Sequence, residues 1–371
     1  MTRGAVHDTR QDGLDRELTT AVETELAAYL AGRRSAAAEL DPLFGQATWS
    51  LDAFVMGGGK RLRPTFAWWG WRGAGGDPET PEATSVVRAI GALELIQACA
   101  LIHDDLMDAS STRRGKPTVH VEFAARHRTA GWRGQPEQFG TAVAILLGDL
   151  ALSWADDLLR GSGLGAEALR RVAEPWDAMR TEVLGGPFLD VLHQATGDPT
   201  EHAALQIDRF KTAAYTVERP LHLGAAIAGA GPELVNAYRR FGIDVGVAFQ
   251  LRDDLLGVFG DPAVTGKPAG DDLREGKCTL LLACATQRAE AAGDGAALTE
   301  LARTVGNPEL VPDELDRMRE LLTELGAVRA VERRITELTE SGLAALAGVP
   351  IAEPAGDRLA ELAVAATRRA R

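Results

Sequence analysis

Along nearly the whole chain, apolar residues return at the spacing of a helix. Leu14, Leu18, Val22, Leu26 and Leu30 mark an amphipathic helix near the N-terminus, because four-residue steps keep side chains on one face. Further helical stretches are expected over 84–107, 139–160, 166–194, 212–229, 232–258, 277–290, 297–304, 311–346 and 356–369. Segments rich in glycine and proline, such as GGGKRLRP, GAGGDPETP, GSGLG and GDPAVTGKPAGDD, punctuate them. No stretch shows the sustained two-residue alternation of a strand bounded by turns. A chain of 371 residues can bury a large core. It shows neither a long interdomain linker nor a fixed-period repeat. The expected fold is all-α: a single large helical bundle around a deep central cavity, spanning 14–371 behind a disordered N-terminus over 1–13.

Charge excludes one class of partner. The net charge is −13 and the pI is near 5.1, without the dense basic stripe of a nucleic-acid binder. Apolar runs such as TAVAILLGDLALSW are interrupted by charge well short of the roughly 20 residues that cross a bilayer. The first residues, MTRGAVHDTRQDGLDRE, have no apolar core. Neither a signal peptide nor an integral membrane segment is therefore expected. Cys99, Cys278 and Cys284 form no CxxC pair; an odd, dispersed set implies free thiols in the cytoplasm rather than a disulfide framework.

Two acidic pairs carry the chemistry. LIHDDLMD holds Asp104, Asp105 and Asp108; FQLRDDLLG holds Asp253 and Asp254. Positions i and i+4 share a helix face, so Asp104 and Asp108 can grip one cation. Carboxylates clustered in apolar helices repel and are costly to desolvate, which points to divalent metal and to an anion for the metal to hold. The second cluster is shorter, since Gly257 stands four residues after Asp253. Asp156-Asp157 lacks an i+4 carboxylate and Asp271-Asp272 falls in a segment rich in glycine and proline; both are read as surface or capping groups. His103 falls off the Asp104/Asp108 face and is read as a packed or hydrogen-bonded side chain.

Five basic elements accompany these acids: Gly57-Gly58-Gly59-Lys60-Arg61-Leu62-Arg63-Pro64, Arg113-Arg114-Gly115-Lys116, Lys211-Thr212, Lys267 and Lys277. Glycines let backbone amides approach an anion, and arginine pairs suit bidentate contact with phosphate oxygens. Taken singly, each is compatible with a solvated basic turn. Together with the acids they describe a site for Mg2+ and diphosphate. There is no H-E-x-x-H, G-x-S-x-G or G-x-G-x-x-G motif.

With GGGKRLRP, LIHDDLMDASSTRRGKPTVH, KTAAYT, FQLRDDLLGVFGD, TGKPAGDD and EGKCTLL in this order, the chain resembles the trans-isoprenyl diphosphate synthases, the polyprenyl synthetase family. The resemblance implies an all-α homodimer that condenses isopentenyl diphosphate with an allylic diphosphate. Lys60, Arg63, Gln97 and Arg114 would hold isopentenyl diphosphate. Asp104, Asp108 and Asp253 would bind Mg2+, with three ions in the substrate complex. Arg113, Lys211, Lys267 and Lys277 would contact the allylic diphosphate, and Thr212 and Gln250 would lie near the reacting carbons.

Three positions depart from the family pattern. Gly257 replaces the last Asp of the usual second DDxxD, with Asp261 four residues on. Pro187 follows Gly186 where Gln is common, with Asp190 retained; proline inside a helix removes a donor and favours a kink. Cys278 follows Lys277 where Arg is common. Product length should be set one and two turns before Asp104, since a turn rises about 5.4 Å. Cys99 and Ala100 are small there and Ile96 lies beyond, which favours geranylgeranyl diphosphate. The alternatives are a farnesyl or longer-chain synthase, a terpene cyclase on the same fold, and a non-catalytic partner subunit.

Overall fold

The computed structural model describes residues 3–260 and 270–368, with side chains from residue 17 on. The side chains expected to fray at the N-terminus lie outside the described residues. Helix α1 (Arg3–Leu40) buries Leu18, Val22, Leu26 and Leu30 along one face, as their spacing requires. Asp41 starts α2 (Pro42–Met56) by accepting the amides of Leu43 and Phe44, with Pro42 at the first helical position. Then come α3 (Leu62–Gly73), α4 (Glu82–Met107), α5 (Val119–Ala130), α6 (Pro136–Arg160) and α7 (Ala166–Thr196). Between α4 and α5, β1 (Thr112–Arg113) pairs antiparallel with β2 (Lys116–Pro117).

After α8 (Glu201–Ile207) the chain winds into a π-helix over Asp208–Glu218, which passes into α9 (Arg219–Ala228). The rest is α10 (Pro232–Phe259), α11 (Asp271–Glu275), α12 (Leu280–Ala292), α13 (Gly295–Thr304), α14 (Pro312–Glu324), α15 (Ala327–Ala347) and α16 (Ala355–Thr367). The fold is all-α, as expected, apart from the β1–β2 pair, whose two-residue strands are too short to alternate. Several elements differ from the sequence expectation. Helix α3 escapes periodicity because LRPTFAWWGWRG is buried on nearly all sides. The run expected over 311–346 is two helices, because Gly326 takes φ +73°, a left-handed conformation that interrupts the helix. Where one α-helix is expected over 212–229, the first part is wound as a π-helix.

The described residues gather into two compact units. The first comprises Met1–Asp177, Arg219–Val235 and Ile351–Arg358. In it α3 and α9 touch backbone to backbone: a Cβ on Gly224 would lie 1.9 Å from the Ala67 carbonyl oxygen, and one on Gly70 2.6 Å from that of Leu221. Helix α4 is long and apolar enough by composition to cross a membrane, but 72% of its most apolar window is buried inside the protein, the signature of a core helix. The second unit comprises Ala178–Glu218, Asn236–Pro350 and Leu359–Arg371. Its core joins Leu251, Leu255 and Val258 of α10 to Leu273, Leu281, Met318, Leu322 and Val331. Cβ atoms on Gly186, Gly242 and Gly246 would fall within 2.4–2.6 Å of the π-helix backbone. Glycine at these positions thus lets α7 and α10 close on the wide helix. Helix α7 continues unbroken through Pro187.

Candidate active site

In the first unit, the glycine loop between α2 and α3 is shaped by Gly58 and Gly59, at φ +92° and +145°. Arg61, the residue before α3, sits at φ +48°, an unusual conformation for a side-chain-bearing residue. Its surroundings hold it there. The guanidinium donates to the Val55 carbonyl at 3.0 Å, to Glu94 Oε2 at 2.5 Å and to Glu23 Oε1 at 3.2 Å. The Arg61 and Glu94 side chains are 3% and 2% exposed. This buried pair fixes the junction between the loop that carries Lys60 and the start of α3, which carries Arg63. Nothing in the spacing of Glu94 signals the role, since it lies in an apolar run and its partner is remote in sequence.

The β1–β2 turn meets this loop. Arg114, at φ +52°, donates to the Gly58 carbonyl, and its guanidinium would lie 3.3 Å from a Cβ on Gly59. Burial lowers the Arg114 pKa, and the nearby Arg113, Arg61 and Arg63 push it the same way against Glu94. Of the cations expected for isopentenyl diphosphate, Arg63 and Arg114 are therefore brought together, beside Arg113 and Arg61, a concentration of positive charge that an anion would relieve. Gln97 lies half-buried on α4, one turn beyond Glu94.

Asp104 is in the last turn of α4 and Asp108 is its C-cap, the Asp108 amide donating to the Asp104 carbonyl at 2.9 Å. Carboxylates at a helix C-terminus oppose the helix dipole, so this end favours a cation. Between them Asp105 is buried at 1% exposure and takes Arg113, whose Nε lies 2.8 and 2.9 Å from its two oxygens. Burial raises the Asp105 pKa and Arg113 opposes the rise. Arg113 also approaches Asp104 at 3.6 Å. Asp105 is thus the anchor of the β1–β2 turn, a role its sequence position beside Asp104 conceals.

One turn before Asp104, Cys99 is fully buried and Ala100 is half-buried; a turn further back, Ile96 is fully buried. The Cys99 thiol, pushed up to about 12 chiefly by burial, lies 3.8 Å from His103 Nδ1. His103 Nε2 is 3.3 Å from the Ile145 carbonyl, in space that a Cβ on Gly148 would occupy. His103 is a packed, hydrogen-bonded residue, as expected.

In the second unit, the π-helix presents Lys211 and Thr212. Lys211 Nζ is 2.5 Å from Asp190 Oδ2, whose other oxygen accepts from Gln194 at 3.0 Å. The Thr212 hydroxyl donates to Gln250 at 2.6 Å, and Gln250 donates onward to Asp254 at 2.6 Å. The structure thus joins Thr212, next to Lys211, to Gln250 of α10, three residues before Asp253. Asp254 is buried, and its carboxyl is pushed up to about 8 by burial first and by Asp272 and Asp253 after it, with Gln250 and Lys277 opposing. Lys277 reaches Glu275 at 2.6 Å and Asp272 at 3.5 Å. Lys267 and Asp261 lie outside the described residues.

Asp208 was not a candidate from the sequence. It is buried, its Oδ2 has no hydrogen-bond partner among the described residues, and burial, then Asp254 and Asp190, hold its carboxyl well above the usual range. The folded chain therefore keeps a proton that the unfolded chain releases above about pH 4. Stability should fall as pH rises from there through the folded pKa. Without divalent cation, the native melting temperature should drop between pH 5 and 8 by at least about 2 °C more than that of Asp208→Asn. Parallel melting curves across that range would refute this account.

Among the described residues no group of three or more His, Cys, Asp or Glu is poised to hold a metal. Mg2+ takes one or two carboxylates and completes its shell with phosphate oxygens and water. Asp104 with Asp108, and Asp253, fit that mode.

The profile of the polyprenyl synthetase family matches residues 47–314. The chain is 34% identical over 305 residues to a geranylgeranyl diphosphate synthase of Mycobacterium tuberculosis, covering 80% of this chain and 78% of that protein. It is 32% identical over 311 residues to a geranylfarnesyl diphosphate synthase of Aeropyrum pernix, covering 83% and 89%. Its fold matches the crystal structure of a geranylgeranyl pyrophosphate synthase from Corynebacterium glutamicum complexed with isoprenyl diphosphate and magnesium, with TM-score 0.91, 48% identity, and 95% and 99% of the two chains covered. The acidic pairs, the basic loops and these likenesses agree: the chain belongs to the polyprenyl synthetase family and is an all-α prenyltransferase.

Proposed function

We propose that the enzyme joins isopentenyl diphosphate head-to-tail to an allylic diphosphate, with geranylgeranyl diphosphate as its product. The observation that carries this reading is the cation-rich junction of Arg114 with the glycine loop, adjoining in sequence the Asp104–Asp108 turn. It supplies separate means of holding one diphosphate by charge-assisted hydrogen bonds and another through metal.

Lys60, Arg63, Gln97 and Arg114 bind isopentenyl diphosphate, and the Arg61–Glu94 pair orients their loop. Asp104, Asp108 and Asp253 would hold Mg2+, three ions in the full complex, which would supply positive charge against the leaving allylic diphosphate. Arg113, Lys211, Lys267 and Lys277 contact that same diphosphate. Thr212 and Gln250 sit near the reacting carbons, where their mutual hydrogen bond fixes the Thr212 hydroxyl. The alkene attacks the allylic carbon, and the released diphosphate takes the departing proton. No side-chain nucleophile is required.

Purified protein incubated with Mg2+, isopentenyl diphosphate and C5, C10 or C15 primers should yield a C20 diphosphate by mass. Release of a hydrocarbon or alcohol without isopentenyl diphosphate would instead mark a cyclase. In the same assay Cys99→Phe should shift the main product from C20 toward C15, because a ring there takes up volume one turn before Asp104. An unchanged C20 product would remove Cys99 from the pocket floor.

We further place the enzyme in the cytoplasm as a homodimer. Its three free cysteines suit a reducing compartment. Exposed Ile145 and Leu146 of α6, at 43% and 64% exposure, suit coverage by a second copy.

A further inference from the structure

Four residues beyond Asp253, on the same face of α10, the side chain is missing because position 257 is glycine. The space is nonetheless filled. A Cβ on Gly257 would lie 2.2 Å from Asp272 Oδ2 and 3.1 Å from its Cγ, too close for both to exist. Asp272 therefore sets its carboxylate against bare backbone, one turn from Asp253.

Its placement is well anchored. The Gly270 amide donates to the Gly257 carbonyl at 2.9 Å, tying the start of α11 to α10 at that position. The Lys277 amide donates to the Asp272 carbonyl at 3.0 Å, and Leu273 beside it is fully buried in the core. Capping does not account for the side chain, since α11 is preceded by Gly270 and has no side-chain cap. The Asp272 side chain is 18% exposed and lies 3.5 Å from Lys277 Nζ, a carboxylate neither sunk in the core nor fully in water. The sequence reading of Asp271-Asp272 as a surface or capping pair does not hold for Asp272.

We infer that Asp272 supplies the carboxylate that position 257 lacks and acts with Asp253 on the same bound divalent cation. The inference rests on the reading of Asp253 as a metal ligand. It makes the second acidic cluster discontinuous in sequence, with one acid from α10 and one from α11.

The test is isothermal titration of the full chain with Mg2+ in the presence of inorganic diphosphate, each variant first checked for cooperative melting. Asp253→Asn and Asp272→Asn should each weaken Mg2+ binding at least about tenfold. Asp272→Asn keeps the side-chain shape. The exchange Gly257→Asp with Asp272→Gly moves the acid to the helix while removing the clash, and should recover most of what Asp272→Gly alone loses. Weakening by Asp253→Asn but not by Asp272→Asn would overturn the assignment of Asp272 and leave Asp253 a ligand. An exchange variant no better than Asp272→Gly would overturn it too. Native affinity in both Asn variants would overturn the Asp253 reading, and the inference with it.

Discussion

Asp104→Ala should lower turnover on the order of 10^3-fold or more while leaving the protein folded. A diphosphate departing from an allylic carbon gains negative charge, and loss of one preorganised stabilising group costs a large factor in rate. Stability should respond in the opposite sense or not at all. Asp104 and Asp108 crowd the C-terminal end of α4, where negative charge opposes the helix dipole. Removing one acid from the metal-free protein relieves that opposition. Initial rates at saturating substrate, with a melting curve for each variant, separate the two effects. Near-native turnover would refute the metal role of Asp104.

Glu94→Ala should have the largest effect on stability of any single substitution around the site, about 3–5 kcal/mol. The reason is the partner left behind. Arg61 is 3% exposed and its shortest contact is the 2.5 Å bond to Glu94, with Glu23 more distant and 38% exposed. An arginine cannot shed its charge, so the substitution strands a cation in the core. The left-handed backbone of Arg61 would lose its main restraint, and the glycine loop would loosen. Where the variant still folds, its KM for isopentenyl diphosphate should rise more than its kcat falls. A denaturant midpoint corresponding to a loss below about 1 kcal/mol would show that Glu23 suffices.

The legible part of the sequence consists of residues whose neighbours in space are also neighbours along a helix. Asp104 and Asp108 declare themselves by a four-residue step, and α1 by its leucines. Thr212 and Gln250 came only through the family resemblance, yet the structure joins them at 2.6 Å. The illegible part consists of contacts between segments remote in sequence. Glu94 reads as an interruption in an apolar helix until Arg61 is placed beside it. Asp272 reads as a surface acid until Gly257 shows where its carboxylate goes. Asp208 gives no periodic signal because the segment holding it is not wound with the α-helical period.

The π-helix over Asp208–Glu218 has an evolutionary consequence. Its hydrogen bonds skip one residue more than those of an α-helix, so the segment holds a surplus of chain in a fixed length. Loss of one residue would let it relax to the commoner winding, turning the chain upstream of the deletion by about 100° relative to the chain downstream. A loss within it would therefore shift where Lys211 and Thr212 are presented relative to Asp190 and Gln250. Between α8 and α9, the count of residues itself decides which side chains meet Asp190 and Gln250.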